Sequence, residues 1–244
     1  MVDTLNALVI GGNGAIGAAL IRQYQRWAQE NDQGLQVYAT YNRQRPQASA
    51  GVQWLQLDLR DLAAIKGLAE WLQDIDALHH WVCCSGYLHG DFGSPEKALK
   101  DLQGDKLLDD LAVNSVGPLA AFQASIVALR RAQFAKVAFL SAQVGSIDDN
   151  RSGGWYGYRM SKAALNMGIR CAAIECARWR RPPVIVALHP GTTTSALSQP
   201  FTARRNPPPQ SADQCAQDLL QRMLALTVAE TGTFQRLNGS AIPW

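Results

Sequence analysis

The stretch "VIGGNGAIGAAL" at residues 9–20 decides the fold that we predict for this chain. Four glycines fall within seven positions there, between two apolar runs. An apolar run, a cluster of glycines and then apolar residues at helical spacing predict a strand, a tight turn and a helix. The backbone of such a turn can approach a phosphate closely, because the start of the helix presents unpaired N–H groups and a partial positive charge.

The glycines of this turn fit two spacings that have the same physical use. Gly12-x-Gly14-x-x-Gly17 is the general dinucleotide fingerprint, and Gly11-x-x-x-Ala15-x-Gly17 is the alternative. In both, an early glycine permits the tight turn and Gly17 lets the helix pack closely on the sheet. Glycine turns also occur for packing alone, but the strand before and the helix after this one favour dinucleotide binding.

Short runs rich in Val, Ile and Leu alternate with longer segments of helical period along the rest of the chain. The predicted strands are residues 5–10, 35–40, 52–57, 78–83, 136–141, 184–188 and 234–237. The predicted helices are residues 15–29, 62–73, 107–133, 156–178 and 212–227. The alternation predicts an α/β fold: a single-domain, Rossmann-type, doubly wound parallel sheet of about seven strands with helices on both faces. This domain would span residues 1–244.

Length, net charge and cysteine content bear on the kind of protein and on its partners. The chain has 244 residues, 47% of them hydrophobic, which is enough for one substantial core. Its net charge of +3, with 18% charged residues, gives no argument for a nucleic acid or a membrane as partner. There is no basic leader, and the five cysteines form no regular framework, so a reducing, cytoplasmic setting is expected and no metal site is predicted.

The end of the second strand bears on the choice of dinucleotide. It reads "VYATYNRQR" at residues 37–45 and lacks the acidic residue that usually holds the ribose 2′-hydroxyl of NAD. Arg43 follows instead, and an arginine there suits the 2′-phosphate of NADP. We therefore expect NADP(H) as the preferred cofactor, with NAD(H) as the alternative and Arg45 as a second candidate for the phosphate.

A tyrosine and a lysine suggest acid–base chemistry. In "YGYRMSKAAL" at residues 156–165, Tyr158 and Lys162 are four apart and share one face of a helix. A nearby ammonium group lowers the pKa of a phenol, which can then exchange a proton with a substrate oxygen. Ser141 ends the fifth strand, at the edge where parallel sheets bind ligands, and could hydrogen-bond the same oxygen.

These motifs together resemble the short-chain dehydrogenase/reductase family along the whole chain. Within it, "GGWYGYRMSKAALN" at residues 153–166 and "NGSAIPW" at 238–244 are most similar to the C-factor-like branch. The resemblance implies that Ser141, Tyr158 and Lys162 are catalytic and that Asn114, in "LAVNSVGPL", holds a proton-relay water. The implied cofactor-binding residues are Gly11, Asn13, Gly14, Ala15, Ile16, Gly17, Arg43, Asp58, Leu59, Ser85, Gly86, Tyr158, Lys162, Pro190, Gly191, Thr193 and Ser195.

Two departures from the family pattern stand out. The family usually has Asn-Asn-Ala-Gly after the fourth strand, whereas this chain has Cys83-Cys84-Ser85-Gly86. Since a thiol is a poor hydrogen-bond donor, the bracing of neighbouring strands by side chains should be weaker. The second departure is extra sequence around residues 148–155, which we expect to form a loop near the substrate pocket.

A long proline-containing segment covers residues 192–210. It is either a disordered surface loop or a lid, and the family's fold, which places it over the active site, favours the lid. Leu197 and Phe201 would then be its apolar contacts, and Trp155 and Trp244 are further candidates for the substrate pocket. His189 is expected to have a structural role.

The resemblance implies an oxidoreductase that transfers hydride between NADPH and a small carbonyl or alcohol, with Tyr158 as the acid–base group. The alternative function is a dinucleotide-binding signalling or regulatory protein with little turnover. The family's habit of pairing through two helices, here within 107–133 and 156–178, implies a homodimer or homotetramer.

Overall fold

The computed structural model describes residues 4–47, 50–203 and 205–244. Within these ranges seven strands form one sheet, in the order β3-β2-β1-β4-β5-β6-β7, and all neighbouring strands are parallel. The strands are β1 Thr4–Ile10, β2 Gly34–Tyr41, β3 Val52–Gln56, β4 His80–Cys83, β5 Lys136–Leu140, β6 Val184–His189 and β7 Thr233–Arg236. Each predicted strand is present, with its ends shifted by one or two residues, so the predicted α/β fold is confirmed.

The helices connect successive strands. They are α1 Ala15–Glu30, α2 Leu62–Trp71, α3 Gly104–Leu111, α4 Gly117–Ala124, α5 Ile126–Arg131, α6 Tyr156–Cys176 and α7 Ala212–Ala225. A π-helical turn, Ala112–Val116, joins α3 to α4. No helix in the described ranges has both the length and the apolar character needed to cross a lipid bilayer.

The single helix predicted for residues 107–133 is wrong, because the segment is divided into α3, the π-helical turn, α4 and α5. Pro118 lies in the first turn of α4 and has no backbone N–H, so the hydrogen-bond ladder is interrupted before it. At the other end of α4, the Ser125 hydroxyl donates to the Ala121 carbonyl oxygen at 2.8 Å. Such a bond competes with the helical ladder, and α4 ends there.

Two hydrophobic cores lie on the two faces of the sheet. Along β1, Leu8 and Ile10 point into one core, and Ala7 and Val9 point into the other. The first core receives α2, α4, α5 and α6, and the second receives α1 and α7. Because both faces are covered by helices, ligands can reach the sheet only at its ends.

A buried histidine lies in the centre of the sheet. The Nδ1 atom of His80 lies 2.9 Å from the hydroxyl of Tyr24 on α1. Burial, with smaller contributions from Lys136 and His79, lowers the pKa of His80 to about 3. The imidazole is therefore neutral in the folded protein at any pH near neutrality.

This histidine predicts a loss of stability in acid. The pKa of His80 in the folded protein lies below the ordinary value. The neutral imidazole therefore contributes fully to the free energy of unfolding above about pH 6.5. This contribution is lost as the pH falls towards 3, at about 1.4 kcal/mol per pH unit. His80→Asn can still hydrogen-bond Tyr24 but does not titrate. Urea unfolding at about pH 7 and pH 5 should show that the wild type loses about 2 kcal/mol more than the variant. An equal loss in both proteins would contradict this assignment.

Candidate active site

A cavity of about 680 Å³ opens at the carboxyl ends of the strands. Most of the residues predicted from the sequence line it: Gly11, Asn13, Gly14, Ala15, Ile16, Asp58, Leu59, Ser85, Gly86, Ser141, Tyr158, Lys162, Pro190, Gly191, Thr193 and Ser195. Gly17, Arg43 and Asn114 do not line it. The parallel topology explains the clustering, since the loops after β1, β4, β5 and β6 all end at the same edge of the sheet.

The glycine turn between β1 and α1 forms one wall of this cavity. Gly11 has φ +75°, a conformation that favours glycine, and its N–H donates to the Thr40 hydroxyl at 2.9 Å. A Cβ atom added at Gly17 would overlap the Gly11 carbonyl oxygen. At Gly14, by contrast, an added Cβ would make only an ordinary contact, 3.4 Å from the same oxygen. Packing within the protein therefore requires glycine at 11 and 17 but not at 14.

The start of α1 suits an anion. Gly14 is the N-cap residue and offers no side chain to the free N–H groups, and the first turn contains no acidic residue. Helix starts are usually capped by Ser, Thr, Asp or Asn, so this one leaves its donors available to a ligand. Asn13, Ala15 and Ile16 line the cavity beside it. The donor set fits the diphosphate of a dinucleotide.

Tyr158 and Lys162 lie on α6, facing the cavity. The Lys162 Nζ atom is 5.9 Å from the centre of the Tyr158 ring and donates to the Leu140 carbonyl oxygen at 2.9 Å. Burial raises the pKa of Tyr158 to about 12, with Asp110 as the second cause, and burial lowers the pKa of Lys162 to about 8. Lys162 is not among these causes, so the lowering of the Tyr158 pKa by this lysine that the sequence predicts is not seen in the chain alone.

The Ser141 hydroxyl donates to Asn166 Oδ1 at 2.6 Å, and both side chains are buried. Asn166 is not among the residues predicted from the sequence. The sequence does contain an indication of its place, because Asn166 follows Lys162 by four residues and so lies on the same face of α6. Asn166 orients the Ser141 side chain at the end of β5.

Asn114 lies in the π-helical turn, fully buried. Its Oδ1 accepts from the Tyr87 N–H, and its Nδ2 donates to the Tyr87 carbonyl oxygen, each at 2.8 Å. Nδ2 also lies 3.1 Å from the Ser161 hydroxyl oxygen. The side chain therefore ties the loop after β4 to α6, and its role in holding a water molecule stays a prediction.

The cysteine pair at the end of β4, Cys83 and Cys84, leaves the strands well joined. The Cys84 N–H donates to the Ile10 carbonyl oxygen at 2.9 Å, so backbone bonds brace β4 against β1. Cys84 lines the cavity, and burial raises the pKa of its thiol, which keeps it neutral. Ser85 approaches Gly11 so closely that a Cβ there would lie 2.5 Å from its hydroxyl oxygen.

The segment at 192–210 is closed at its base and reaches over the cavity. The Gln210 N–H donates to the Thr192 carbonyl oxygen at 3.0 Å, and the Thr194 N–H donates to the Gln210 carbonyl oxygen at 2.9 Å. Leu197 and Phe201 both line the cavity, as predicted. Arg204, within the same segment, lies outside the described residues. The role of the segment as a lid stays a prediction.

An aromatic group contacts the segment at 192–210. Trp155 precedes α6 with φ +51°, and its ring centre is 5.2 Å from that of Phe201 and 6.3 Å from that of Tyr158. A tryptophan seldom adopts positive φ, and such strain is common at ligand sites. Trp244 does not line the cavity; its ring stacks on that of Phe234, with 5.6 Å between the ring centres. The prediction that Trp244 lines the substrate pocket is therefore wrong.

Two further side chains near the cavity bear on the predictions. His189 lines it, and its Nδ1 atom accepts from the Gln143 N–H at 3.3 Å, which agrees with a structural role. Burial lowers the pKa of His189 to about 4.

Arg43 is exposed and pairs with Asp91 at 3.2 Å, so its contact with a 2′-phosphate stays a prediction. No group of three His, Cys, Asp or Glu side chains in the described ranges is arranged to hold a metal ion.

Comparison with protein families gives a match that covers most of the chain. Residues 5–206 match the family described as short chain dehydrogenase. C-signal of Myxococcus xanthus is 32% identical over 149 residues, which are 60% of this chain and 84% of that protein. The 1-hydroxy-2-glutathionyl-2-methyl-3-butene dehydrogenase of Rhodococcus sp. (strain AD45) is 31% identical over 144 residues, 59% of this chain and 61% of that relative.

Solved structures share the fold over nearly the whole chain. The carbonyl reductase Sniffer of D. melanogaster has a TM-score of 0.84 and 22% identity, covering 98% of this chain and 100% of that one. The NADPH-bound carbonyl reductase from chicken fatty liver has a TM-score of 0.85 and 21% identity, covering 100% and 96%. At these identities the likeness supports the fold.

Proposed function

This chain belongs to the short-chain dehydrogenase family of NAD(P)-dependent oxidoreductases, and from that we propose that it is an NADPH-dependent reductase of small carbonyl compounds. The observation that carries the proposal is the meeting of two features in one cavity. The uncapped start of α1 lies in one wall, and Ser141, Tyr158 and Lys162 lie in another. A site for an anionic dinucleotide thus adjoins a hydroxyl group that can give a proton to a substrate.

The residues that would hold the cofactor divide by the part they contact. The N–H groups at the start of α1 would bind the diphosphate. Asp58 and Leu59 would contact the adenine, and Pro190, Gly191, Thr193 and Ser195 would contact the nicotinamide side. Lys162 would hold the nicotinamide ribose. When bound, NADPH supplies the hydride for the substrate carbon.

The proton transfer is the task of Tyr158. In reduction, its hydroxyl donates to the carbonyl oxygen, and the high pKa of this phenol keeps that proton in place until it is needed. The Ser141 hydroxyl, oriented by Asn166, would hydrogen-bond the same oxygen once a substrate replaces Asn166 as its acceptor. The Lys162 ammonium stabilises the phenolate that remains, and Asn114 would keep a water molecule that returns the proton through Lys162.

The apolar side chains that line the cavity favour apolar substrates. Trp155, Leu197 and Phe201 line the same cavity, and the last two come from the lid segment. A carbonyl compound with an apolar group would bury that group against them, while its oxygen faces Ser141 and Tyr158. Closure over the substrate would also exclude water from the proton transfer.

The test is a panel of aliphatic and aryl aldehydes and ketones, with NADPH consumption followed by absorbance. Turnover of at least one compound that depends on Tyr158 is the expected result. In parallel, NADPH binding is measured by quenching of tryptophan fluorescence. Tight binding without turnover across the panel would contradict the proposal.

A second candidate function is a dinucleotide-binding signalling or regulatory protein. The similarity to a protein named C-signal favours it. The presence of Ser141, Tyr158 and Lys162 in one cavity argues against it, because a protein that only binds the cofactor does not need an acid–base group. Binding without turnover in the panel would favour this second function.

The preference for NADPH should depend on Arg43. Its exposed ion pair with Asp91 is weak, so the guanidinium group can turn to a 2′-phosphate next to Asn42, which lines the cavity. Arg43→Ala should raise the Kd of NADPH by about tenfold and leave the Kd of NADH unchanged, a loss typical of one charge-assisted contact. Fluorescence titration with both cofactors measures this.

The matched control is Arg45→Ala, which removes the second candidate arginine two residues further on. If Arg45→Ala selectively weakens NADPH binding and Arg43→Ala does not, the assignment passes to Arg45. An unchanged ratio of the two dissociation constants in both variants would contradict the NADP preference.

We also propose that the chain forms homodimers or homotetramers through α6. Met160, Met167 and Ile174 follow one another at intervals of seven residues on this helix and are 49%, 66% and 52% exposed. This spacing places them on one stripe, which a second helix would cover.

A further inference from the structure

Two acidic side chains contact the start of α6 without lining the cavity. Asp110, on α3, is fully buried and accepts from Lys106 Nζ at 2.7 Å. Glu96, from the segment between β4 and α3, is 3% exposed, and its Oε2 accepts from the Gly157 N–H at 3.2 Å. We call Glu96 and Asp110 the acid pair. Neither residue lines the cavity, and neither has a role in the proposed function.

The acid pair meets α6 at Gly157, the residue next to Tyr158. A Cβ atom added at Gly157 would overlap Asp110 Oδ2 and would lie 3.2 Å from Glu96 Oε1. Position 157 therefore has no room for a side chain. Glu96 holds the same turn at a second point, because its carbonyl oxygen accepts from the Trp155 N–H at 2.6 Å. The acid pair thus contacts the backbone on either side of the first residue of α6.

The charges around the acid pair do not balance. The titratable and charged side chains that face it or its neighbours are Arg60, Tyr87, Lys106, Asp109 and Tyr158. Arg60 is occupied by Asp109, with bonds of 2.5 and 3.0 Å. Among the described residues, this leaves Lys106 as the cation that contacts the pair. Glu96 Oε1 and Asp110 Oδ1 are buried and have no hydrogen-bond partner in the part of the chain that the structure describes.

We propose that Glu96 and Asp110 are positioning residues for Tyr158: both anchor the first turn of α6 through Gly157, and the negative charge of Asp110 keeps the Tyr158 hydroxyl protonated. A negative charge behind the phenol disfavours the phenolate, so the hydroxyl stays in its donor form. This inference rests on the proposed function, since it concerns the proton that Tyr158 gives to a carbonyl oxygen. Tyr158 thereby stays a proton donor up to a higher pH, and the reverse reaction, which needs the phenolate as a base, requires a higher pH.

The direction of the pKa values agrees with this geometry. Burial raises the pKa of Asp110 to about 6 against the hydrogen bond from Lys106, and Glu96 and Asp109 add to the rise. Asp110 is therefore ionised in the alkaline range where Tyr158 titrates. It is also the charged group that raises the pKa of Tyr158 beyond the effect of burial.

The test measures the ionisation of Tyr158 directly, without turnover. The phenolate absorbance of each protein is titrated against pH, and the curve of the same protein carrying Tyr158→Phe is subtracted. Asp110→Asn, which keeps the shape and removes the charge, should move the Tyr158 midpoint down by about one pH unit. Lys106→Gln removes the opposing cation and should move it up.

The control is Asp105→Asn, the same chemical change at an exposed position on α3, which should leave the midpoint unchanged. In the oxidation direction, Asp110→Asn should move the alkaline rise of kcat down by the same interval. If the acid pair had only a structural role, neither the midpoint of Tyr158 ionisation nor that of the alkaline rise of kcat would move. If Asp110→Asn does not fold, the Lys106→Gln titration tests the same inference. Unchanged midpoints in both variants would overturn the inference.

The two proposals fail separately. Shifted midpoints without turnover on the carbonyl panel would support the acid pair and contradict the reductase. Normal turnover with unshifted Tyr158 midpoints would support the reductase and contradict the role of the acid pair.

Discussion

Tyr158→Phe is expected to lower kcat for carbonyl reduction by about 10²–10⁴-fold, the usual contribution of a positioned acid–base group. The substitution removes one hydroxyl group and keeps the ring. The contact of that ring with Trp155, at 6.3 Å between centres, is therefore preserved, and the fold should not change. Because the hydroxyl acts on the substrate oxygen, the loss should appear in kcat and in kcat/KM alike.

The binding of NADPH by this variant should stay close to that of the wild type, because the start of α1 and Lys162 are intact. Tyr156→Phe is the matched control, since Tyr156 begins the same helix but does not line the cavity. Stopped-flow measurement of a single turnover separates the chemical step from product release. Turnover by Tyr158→Phe at the wild-type rate would remove the acid–base role from this residue.

The pH dependence of the reaction then becomes informative. In the chain alone, burial raises the pKa of Tyr158 to about 12 and lowers that of Lys162 to about 8, so near pH 7 the phenol is neutral and most of the lysine is still protonated. A bound dinucleotide adds negative phosphates and a ribose to the same cavity. We expect it to favour the protonated Lys162, whose charge in turn makes loss of the proton from Tyr158 easier.

The fold was predictable from the sequence because its signals are local. Most of the strands are short apolar runs, and the turns after β1, β4 and β6 contain glycine, as at Gly11 and Gly191. In a parallel sheet those turns all lie at one edge, so separate motifs must meet in space. Ser141 and Tyr158 could therefore be placed together, although 17 positions separate them in the sequence.

The features that the sequence did not reveal depend on distant contacts. A Cβ atom at Gly117 would overlap the Leu59 carbonyl oxygen, so the interrupted helix after α3 is matched to a loop more than 50 positions away. Helical periodicity also predicts exposure for charged residues, yet Lys106 and Asp110 are buried as an ion pair. A partner that compensates a buried charge is visible only in three dimensions.

The glycine turn shows the same division between local and distant signals. Two spacings were open from the sequence, one through Gly12 and Gly14 and one through Gly11 and Ala15. The structure shows an internal need for glycine at 11 and 17, from positive φ and from backbone contact. Gly14 has no such need, and a ligand that approaches α1 closely is the physical reason to keep it free of a side chain.

Gly17→Ala is accordingly expected to have a large effect on both stability and binding. Its Cβ atom would overlap the Gly11 carbonyl oxygen and would lie 2.9 Å from Gly12 Cα, so α1 must move away from the turn. Such overpacking of backbone costs about 1–3 kcal/mol of unfolding free energy. Because the displaced helix start is the diphosphate site, the Kd of NADPH should rise by at least about tenfold, or 1.4 kcal/mol. Urea unfolding and fluorescence titration measure the two effects.

Two alanine variants separate packing from ligand contact. Gly67→Ala, in α2, meets nothing within 4 Å and should stabilise the protein by up to about 1 kcal/mol without affecting NADPH. Gly14→Ala is tolerated by the fold, since its Cβ lies 3.4 Å from the nearest atom, and it should weaken NADPH binding only. If Gly14→Ala binds NADPH as the wild type does while Gly17→Ala does not, the phosphates do not approach residue 14. The spacing through Gly11, Ala15 and Gly17 would then describe the turn, with Gly17 acting through the position of α1.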